Sequence, residues 1–135
     1  MDCPFCDPAP ERIVAQNALA LALRDGFPVS PGHTLAVPRR HVASWFDATD
    51  AERAALLALL DAVRETLLRT ERPPDGFNLG INAGEAAGQT VPHLHVHLIP
   101  RYRGDVDDPT GGVRFVIPAR GNYRRPGFIP AEAEP

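Results

Sequence analysis

The stretch Pro92-His93-Leu94-His95-Val96-His97-Leu98-Ile99-Pro100 carries three of the chain's five histidines at alternate positions. Leu94, Val96 and Leu98 fill the gaps, so polar and apolar residues alternate with the period of a β-strand. Alternate residues of a strand share a face, about 6.5–7 Å apart per step. The three imidazoles are therefore expected on one face, with an apolar face opposite that can rest on a core. Pro92 and Pro100 each remove a ladder donor and are expected to bound the strand. Three titratable rings make poor core packing. Histidine serves as nucleophile, acid, base or metal ligand near neutral pH, so this face is read as a site.

Chemistry singles out the central ring. An imidazole can attack phosphorus and form a phosphoramidate that water later hydrolyses, dividing one difficult step into two. His95 has a ring on either side and is the natural nucleophile. Its neighbours can orient it and donate to phosphate oxygens. The preceding run Gly84-Glu85-Ala86-Ala87-Gly88-Gln89-Thr90 offers backbone N–H groups, and its glycines allow a phosphate to approach the main chain closely.

The rest of the chain frames that strand. With 135 residues and a net charge of −3, it suits one domain and lacks the electrostatic footprint of a bulk nucleic-acid binder. No run reaches transmembrane length and no basic-then-apolar leader is seen, so a cytoplasmic protein is expected. Residues 12–17, 18–24, 33–37 and 77–83 read as strands, and 113–117 as a last short strand. In 18–24, leucines lie on one side and alanines on the other, which suits a strand packed on both faces.

One long helix is expected over 50–70, opened by a Thr49–Glu52 capping box. Leu56, Leu60, Val63 and Leu67 form its core stripe. Leu57, Leu59 and Leu68 widen that stripe, which suits either a second subunit or a deeply buried helix. The domain is expected to span 1–123, with an irregular tail over 124–135. Cys3 and Cys6 stand in Cys-Pro-Phe-Cys. A disulfide there would staple almost nothing, and a metal site would need two further ligands.

The triad His93-Leu94-His95-Val96-His97-Leu98-Ile99 resembles the signature of the histidine triad family of nucleotide hydrolases and transferases. Gly88-Gln89-Thr90-Val91 before it and Pro100-Arg101 after it are similar to the diadenosine-polyphosphate hydrolase branch. Pro28-Val29-Ser30-Pro31-Gly32-His33, with Pro38 and His41, is similar to the family's second motif. The resemblance runs from about Cys3 to Arg101. It implies an α+β fold: a five-stranded, mainly antiparallel sheet with one long helix and short helical segments, dimerising into a continuous sheet. It implies a covalent nucleotidyl-histidine on His95, with His97 at the scissile phosphate and His33 supporting the nucleophile's ring. Asn82, Gln89 and Thr90 would hold phosphates or the leaving group, Asp25 would bind ribose hydroxyls, and Phe5 and Leu23 would line the base pocket. Asp25 as a turn residue, and Phe5 and Leu23 as core, are the plainer alternatives.

The pair Asp25-Gly26 departs from the Asp-hydrophobic pair of many relatives and implies a more open base pocket. The run from Gly104 to Arg114 resembles a bacterial subgroup of unsettled substrate. Zinc-binding relatives use a Cys-x-x-Cys, a histidine after the second motif and the first triad histidine, here Cys3, Cys6, His41 and His93. Both histidines lie where an N-terminal segment crossing that end of the sheet could reach them. A structural zinc is therefore expected, leaving His95 and His97 for chemistry. The functional expectation is a dimeric hydrolase or transferase acting at the α-phosphate of a diadenosine polyphosphate or a nucleoside phosphoramidate. A nucleotide-binding sensor and a zinc-stabilised interaction module are the rival classes.

Overall fold

A computed structural model describes residues 3–133. Five strands, β1 (Ile13–Gln16), β2 (Ala20–Arg24), β3 (Thr34–Pro38), β4 (Gly76–Ile81) and β5 (Val96–Arg101), form one sheet in the order β1-β2-β3-β5-β4. Every neighbouring pair is antiparallel. One long helix, α1 (Asp50–Leu68), joins β3 to β4, and short 3₁₀ turns punctuate the loops. The α+β architecture expected from the sequence is present. Among the described residues, no helix is long and apolar enough to cross a membrane.

The alternation along β2 decides how the sheet is covered. Ala20 and Ala22 face α1, together with Ala36, Val96 and Leu98, and against them pack Leu56, Leu59, Leu60, Val63 and Leu67. Small side chains on the strands let the helix come close and place its leucines in the gaps. The opposite face holds a second cluster of Phe5, Leu21, Leu23, Leu35 and Val37. The expected two-sided burial of β2 follows.

α1 begins as its sequence dictates. Thr49 Oγ1 accepts from the Glu52 amide at 3.0 Å, and Glu52 Oε1 accepts from the Thr49 amide at 2.9 Å. Glu52 is only 5% exposed, and the Arg40 guanidinium grips both its oxygens, at 2.7 and 3.0 Å. That grip, with the Thr49 amide, pulls the Glu52 carboxyl down to about 2. The segment after β3 is thereby tied to the helix start.

Three expectations change. The triad stretch is not all strand: β5 begins at Val96, and Pro100 lies inside it. Side chains take the carbonyls that a longer ladder would need, since His93 donates to Pro38 O at 2.8 Å and His95 to His93 O at 2.8 Å. Beyond Leu98, β5 pairs with β4 alone, which is where a strand tolerates proline. The second change is at Leu59, read as facing either a second subunit or a deep core. It is 4% exposed within this chain's own core, whereas Leu57 is half exposed and Leu68 half-buried. The third is the segment 113–117, which forms a 3₁₀ helix, Gly112–Val116. Gly111 and Gly112 both have positive φ, at 103° and 50°, and turn the chain out of the extended region.

The described chain divides into two compact units, one ending at Arg101 and the other beginning at Tyr102. Within the second, Arg114 clasps the carbonyls of Arg120 and Gly121, and its guanidinium lies 5.2 Å from the Tyr123 ring centre and 5.7 Å from that of Phe128. From Asn122 onward there is no helix or strand among the described residues; residues 134–135 lie outside them.

Candidate active site

The histidine face lies on the side of the sheet away from α1. A cleft of about 420 Å³ opens there, lined among others by Phe5, Asp25, His33, Asn82, Thr90, His95 and His97. β5 sits between β3 and β4 with Leu35 and Gly80 opposite His97, so the ring is flanked by a buried leucine and a residue without a side chain. The turn after β2 is drawn against the end of α1. A Cβ at Gly32, whose φ is 88°, would come within 2.8 Å of Leu67 Cδ2, so only glycine fits there. Ser30 Oγ then donates to Pro100 O at 2.7 Å and pins the turn to β5.

Hydrogen bonds fix the proton positions. The Val29 amide donates to His33 Nδ1 at 3.1 Å, so neutral His33 carries its proton on Nε2. That N–H points at His97 Nδ1, 2.9 Å away, with Asp25 Oδ2 at 3.4 Å. His97 Nδ1 therefore accepts, and its own proton sits on Nε2. His95 donates from Nδ1 to the His93 carbonyl and keeps an unprotonated Nε2. Two adjacent rings, 5.2 Å between centres, thus offer a lone pair and an N–H at the cleft. An unprotonated ring nitrogen thus stands beside a hydrogen-bond donor.

Burial, together with the neighbouring His95 and His33 rings, lowers His97 to about 4, and burial lowers His33 despite Asp25. Both rings stay neutral near pH 7. Between about 6.5 and 4 the unfolded chain binds protons that the folded His97 refuses, so stability is complete above about 6.5 and falls with pH across that window. The loss should be on the order of 2–3 kcal/mol for His97. Thermal melts from pH 7 to pH 4 should show a falling midpoint, less steep in a His97→Asn variant. An equal slope in both proteins would count against this assignment.

A second cluster lies next to the first. Cys3 Sγ is 3.3 Å and Cys6 Sγ 3.5 Å from His93 Nδ1. Cys6 Sγ is 3.2 Å from His41 Nδ1, and the two Nδ1 atoms are 3.2 Å apart. All four atoms lie within 4.8 Å of one another. His93 donates from Nε2 to Pro38 O, which leaves Nδ1 as a lone pair turned toward the thiols. A tetrahedral Cys₂His₂ centre has S···N edges near 3.5 Å and N···N edges near 3.3 Å, given metal–sulfur bonds of about 2.3 Å and metal–nitrogen bonds of about 2.0–2.1 Å. The donor set and its spacing fit a metal ion. Phe5 stands between the two cysteines in sequence, and its ring lies 5.9 Å from His93 and 5.0 Å from His95, centre to centre.

A model of the HIT domain matches residues 7–104. The chain belongs to the HIT-domain family. It is 40% identical over 116 residues to a protein of Mycobacterium tuberculosis named AP-4-A phosphorylase, covering 84% of this chain and 59% of that one. The asymmetrical bis(5'-nucleosyl)-tetraphosphatase of Schizosaccharomyces pombe is 34% identical over 101 residues, covering 75% and 55%. The chain thus spans less than three fifths to about three fifths of these two relatives. Among solved structures, a Zn-bound histidine triad family protein from Mycobacterium smegmatis superposes with a TM-score of 0.70 at 33% identity, covering 78% of each chain.

Within this HIT domain, the expected site residues divide. Phe5, Asp25, His33, Asn82, Thr90, His95 and His97 meet at one cleft, and Cys3, Cys6, His41 and His93 at the adjoining cluster. Three positions differ from what the resemblance implied. Leu23 is fully buried in the cluster behind Phe5, one layer below the cleft. Gln89 spends its amide on the loop, accepting from the Gly84 amide and donating to Ala43 O and Val91 O. His33 supports His97, while the ring of His95 is held by a main-chain carbonyl. Asp25 also does its turn work, accepting from the Phe27 amide at 2.7 Å. Arg12 and Phe27 line the cleft as well and were not anticipated. The available signal was Gly26, which leaves that wall without a side chain of its own.

Proposed function

We propose that this chain is a nucleotide hydrolase or nucleotidyl transferase acting at the α-phosphate of a nucleoside polyphosphate, diadenosine polyphosphates first. The observation that carries the reading is the His95 tautomer, with a bare Nε2 beside the Nε2–H of His97 in an open cleft. The activities named for the two relatives support it.

His95 Nε2 attacks the α-phosphorus, forming a P–N bond as the P–O bond to the leaving nucleotide breaks. The leaving oxygen departs with the electron pair. His97 donates its Nε2–H to a phosphoryl oxygen, held in that tautomer by His33. Gly88, whose φ is 94°, and Thr90 and Asn82 line the same cleft, where close main-chain approach and a hydroxyl suit phosphate oxygens. Water then attacks phosphorus, the P–N pair returns to His95, and the water's proton is released as the product phosphate ionises. With inorganic phosphate as acceptor, the same intermediate gives a nucleoside diphosphate.

Cys3, Cys6, His41 and His93 would hold a zinc ion, whose contribution is structural: it ties the N-terminal segment to the triad. Reduced thiols fit a reducing compartment such as the cytoplasm. We also propose a two-fold dimer. Among the described residues β4 is an edge strand of the sheet with a half-exposed Leu79, and Leu57 is half exposed on α1. Light scattering at micromolar concentration should give twice the chain mass, and a monomer would remove this element.

The reading is tested by incubating the protein with a panel of adenylyl compounds, quenching in mild base and measuring intact mass. An AMP adduct and released mononucleotide are expected, and ADP when phosphate is added. Neither adduct nor turnover with any member of the panel would overturn it.

A further inference from the structure

We propose that Cys3 and Cys6 form a peroxide-responsive switch: joining in a disulfide, they release the metal and unseat Phe5 from the wall of the cleft. This rests on the zinc and nucleotide readings above. Both cysteines are free, and their sulfurs lie within 4.8 Å of each other. The Cys6 amide donates to Cys3 O at 3.2 Å, so one tight turn carries both. Cys6 is exposed and Cys3 half-buried. Exposure and thiolate character decide which sulfur meets an oxidant, so Cys6 reacts first. Its sulfur attacks hydrogen peroxide, an S–O bond forms as O–O breaks, and the leaving oxygen takes a proton and departs as water. The Cys3 sulfur then attacks the Cys6 sulfur. The S–S bond forms, S–O breaks, and a second water leaves with another proton. Two electrons pass from the thiolate pair to the peroxide, and solvent supplies both protons.

The change of donor set opens the site. Two thiolates offset the charge of a divalent cation, whereas a disulfide is neutral and a poor ligand. Only His41 and His93 remain, half of a tetrahedral set. His93 keeps its place, because it is fully buried and its Nε2 donates to Pro38 O. The Cys-Pro-Phe-Cys turn loses what tied its sulfurs to the two imidazoles. Phe5 carries that loss to the catalytic ring. It lies inside the turn, and its ring centre is 5.0 Å from that of His95. While both sulfurs are ligands, the main chain bearing the ring is held on either side. A disulfide across so short and exposed a turn stabilises little and is open to thiol exchange, which makes the step reversible.

Zinc-loaded wild type is treated with a few equivalents of hydrogen peroxide. A chromogenic chelator follows zinc release, alkylation in denaturant counts free thiols, and calorimetry measures AMP affinity. One zinc per chain should be released as both thiols disappear, with the chain still single on a non-reducing gel. AMP affinity should fall about three- to tenfold, and dithiothreitol with added zinc should restore thiols, metal and affinity together. Zinc retained throughout, thiols that dithiothreitol does not recover, or chains linked to one another would overturn the proposal. So would an AMP affinity that release leaves unchanged. Phe5→Leu keeps the four ligands and drops the ring. It should still release zinc, with less than about a twofold change in AMP affinity on oxidation. A fall as large as that of wild type would show that Phe5 does not carry the effect and would overturn the proposal as well. Wild type that holds no zinc before treatment would remove the zinc reading, and wild type that binds no AMP would sink the nucleotide reading. Both outcomes differ from a bound zinc that peroxide does not release.

Discussion

Replacing His95 by alanine should lower turnover by about 10⁴–10⁶-fold, the cost of losing a covalent nucleophile. AMP should still bind, because His97, Thr90 and the main chain around Gly88 are untouched. The loss should therefore appear in kcat, with little change in KM. His97→Ala removes a donor and leaves the nucleophile, so about 10²–10³-fold is expected. His33→Asn acts only through the tautomer of His97 and should cost less than either. Intact-mass spectra supply an independent reading: the AMP adduct should vanish in His95→Ala and persist in His97→Ala. A His95→Ala protein with near wild-type turnover would show that the chemistry runs elsewhere.

Replacing Cys3 and Cys6 together by serine should abolish metal binding and lower the melting temperature by at least about 10 °C, on the scale of a few kcal/mol in a domain of this size. Metal analysis of wild type purified without chelator should give one zinc per chain, and the variant none. The second consequence is catalytic. Phe5 lies between the two cysteines, and its ring packs on His95. Loosening the Cys-Pro-Phe-Cys segment should free that ring from the cleft wall and raise KM several-fold, with kcat less affected. A metal-free wild type that melts at the same temperature as the variant would remove the zinc assignment.

Much of this was legible because it is local. The Thr49–Glu52 box closes within one helical turn, so the sequence names both partners. The leucine–alanine alternation of β2 and the histidine–aliphatic alternation around His95 each specify a face through a two-residue period. What escaped depends on partners distant in the chain. Whether β5 starts at His93 or Val96 is decided by which groups hold the Pro38 and His93 carbonyls. Leu59 looked superfluous to a helix read alone, and it is core because alanines on the strands leave it room. The β-branched run near Val113 was overruled by the paired glycines before it. Arg12 resembled any surface arginine, since nothing in its neighbourhood announces that it packs beside Gly26. Gln89 carries a motif position, yet its amide is consumed by carbonyls on two segments.

The Cys3–His93 pairing spans 90 residues and has a temporal side. During synthesis the two thiols emerge well before His93, their last partner. At about 5–20 residues per second, that wait is roughly 5 to 20 s. Through that interval the cysteines are unprotected, free to oxidise or to take a metal in a half-built site. Closing so long a loop is entropically expensive until β3 and β5 have paired, so the cluster should assemble late, on a sheet already formed. Once closed, it joins the first and last parts of the unit, and global unfolding must open it. The same four side chains that are slowest to meet should therefore govern how long the folded protein survives.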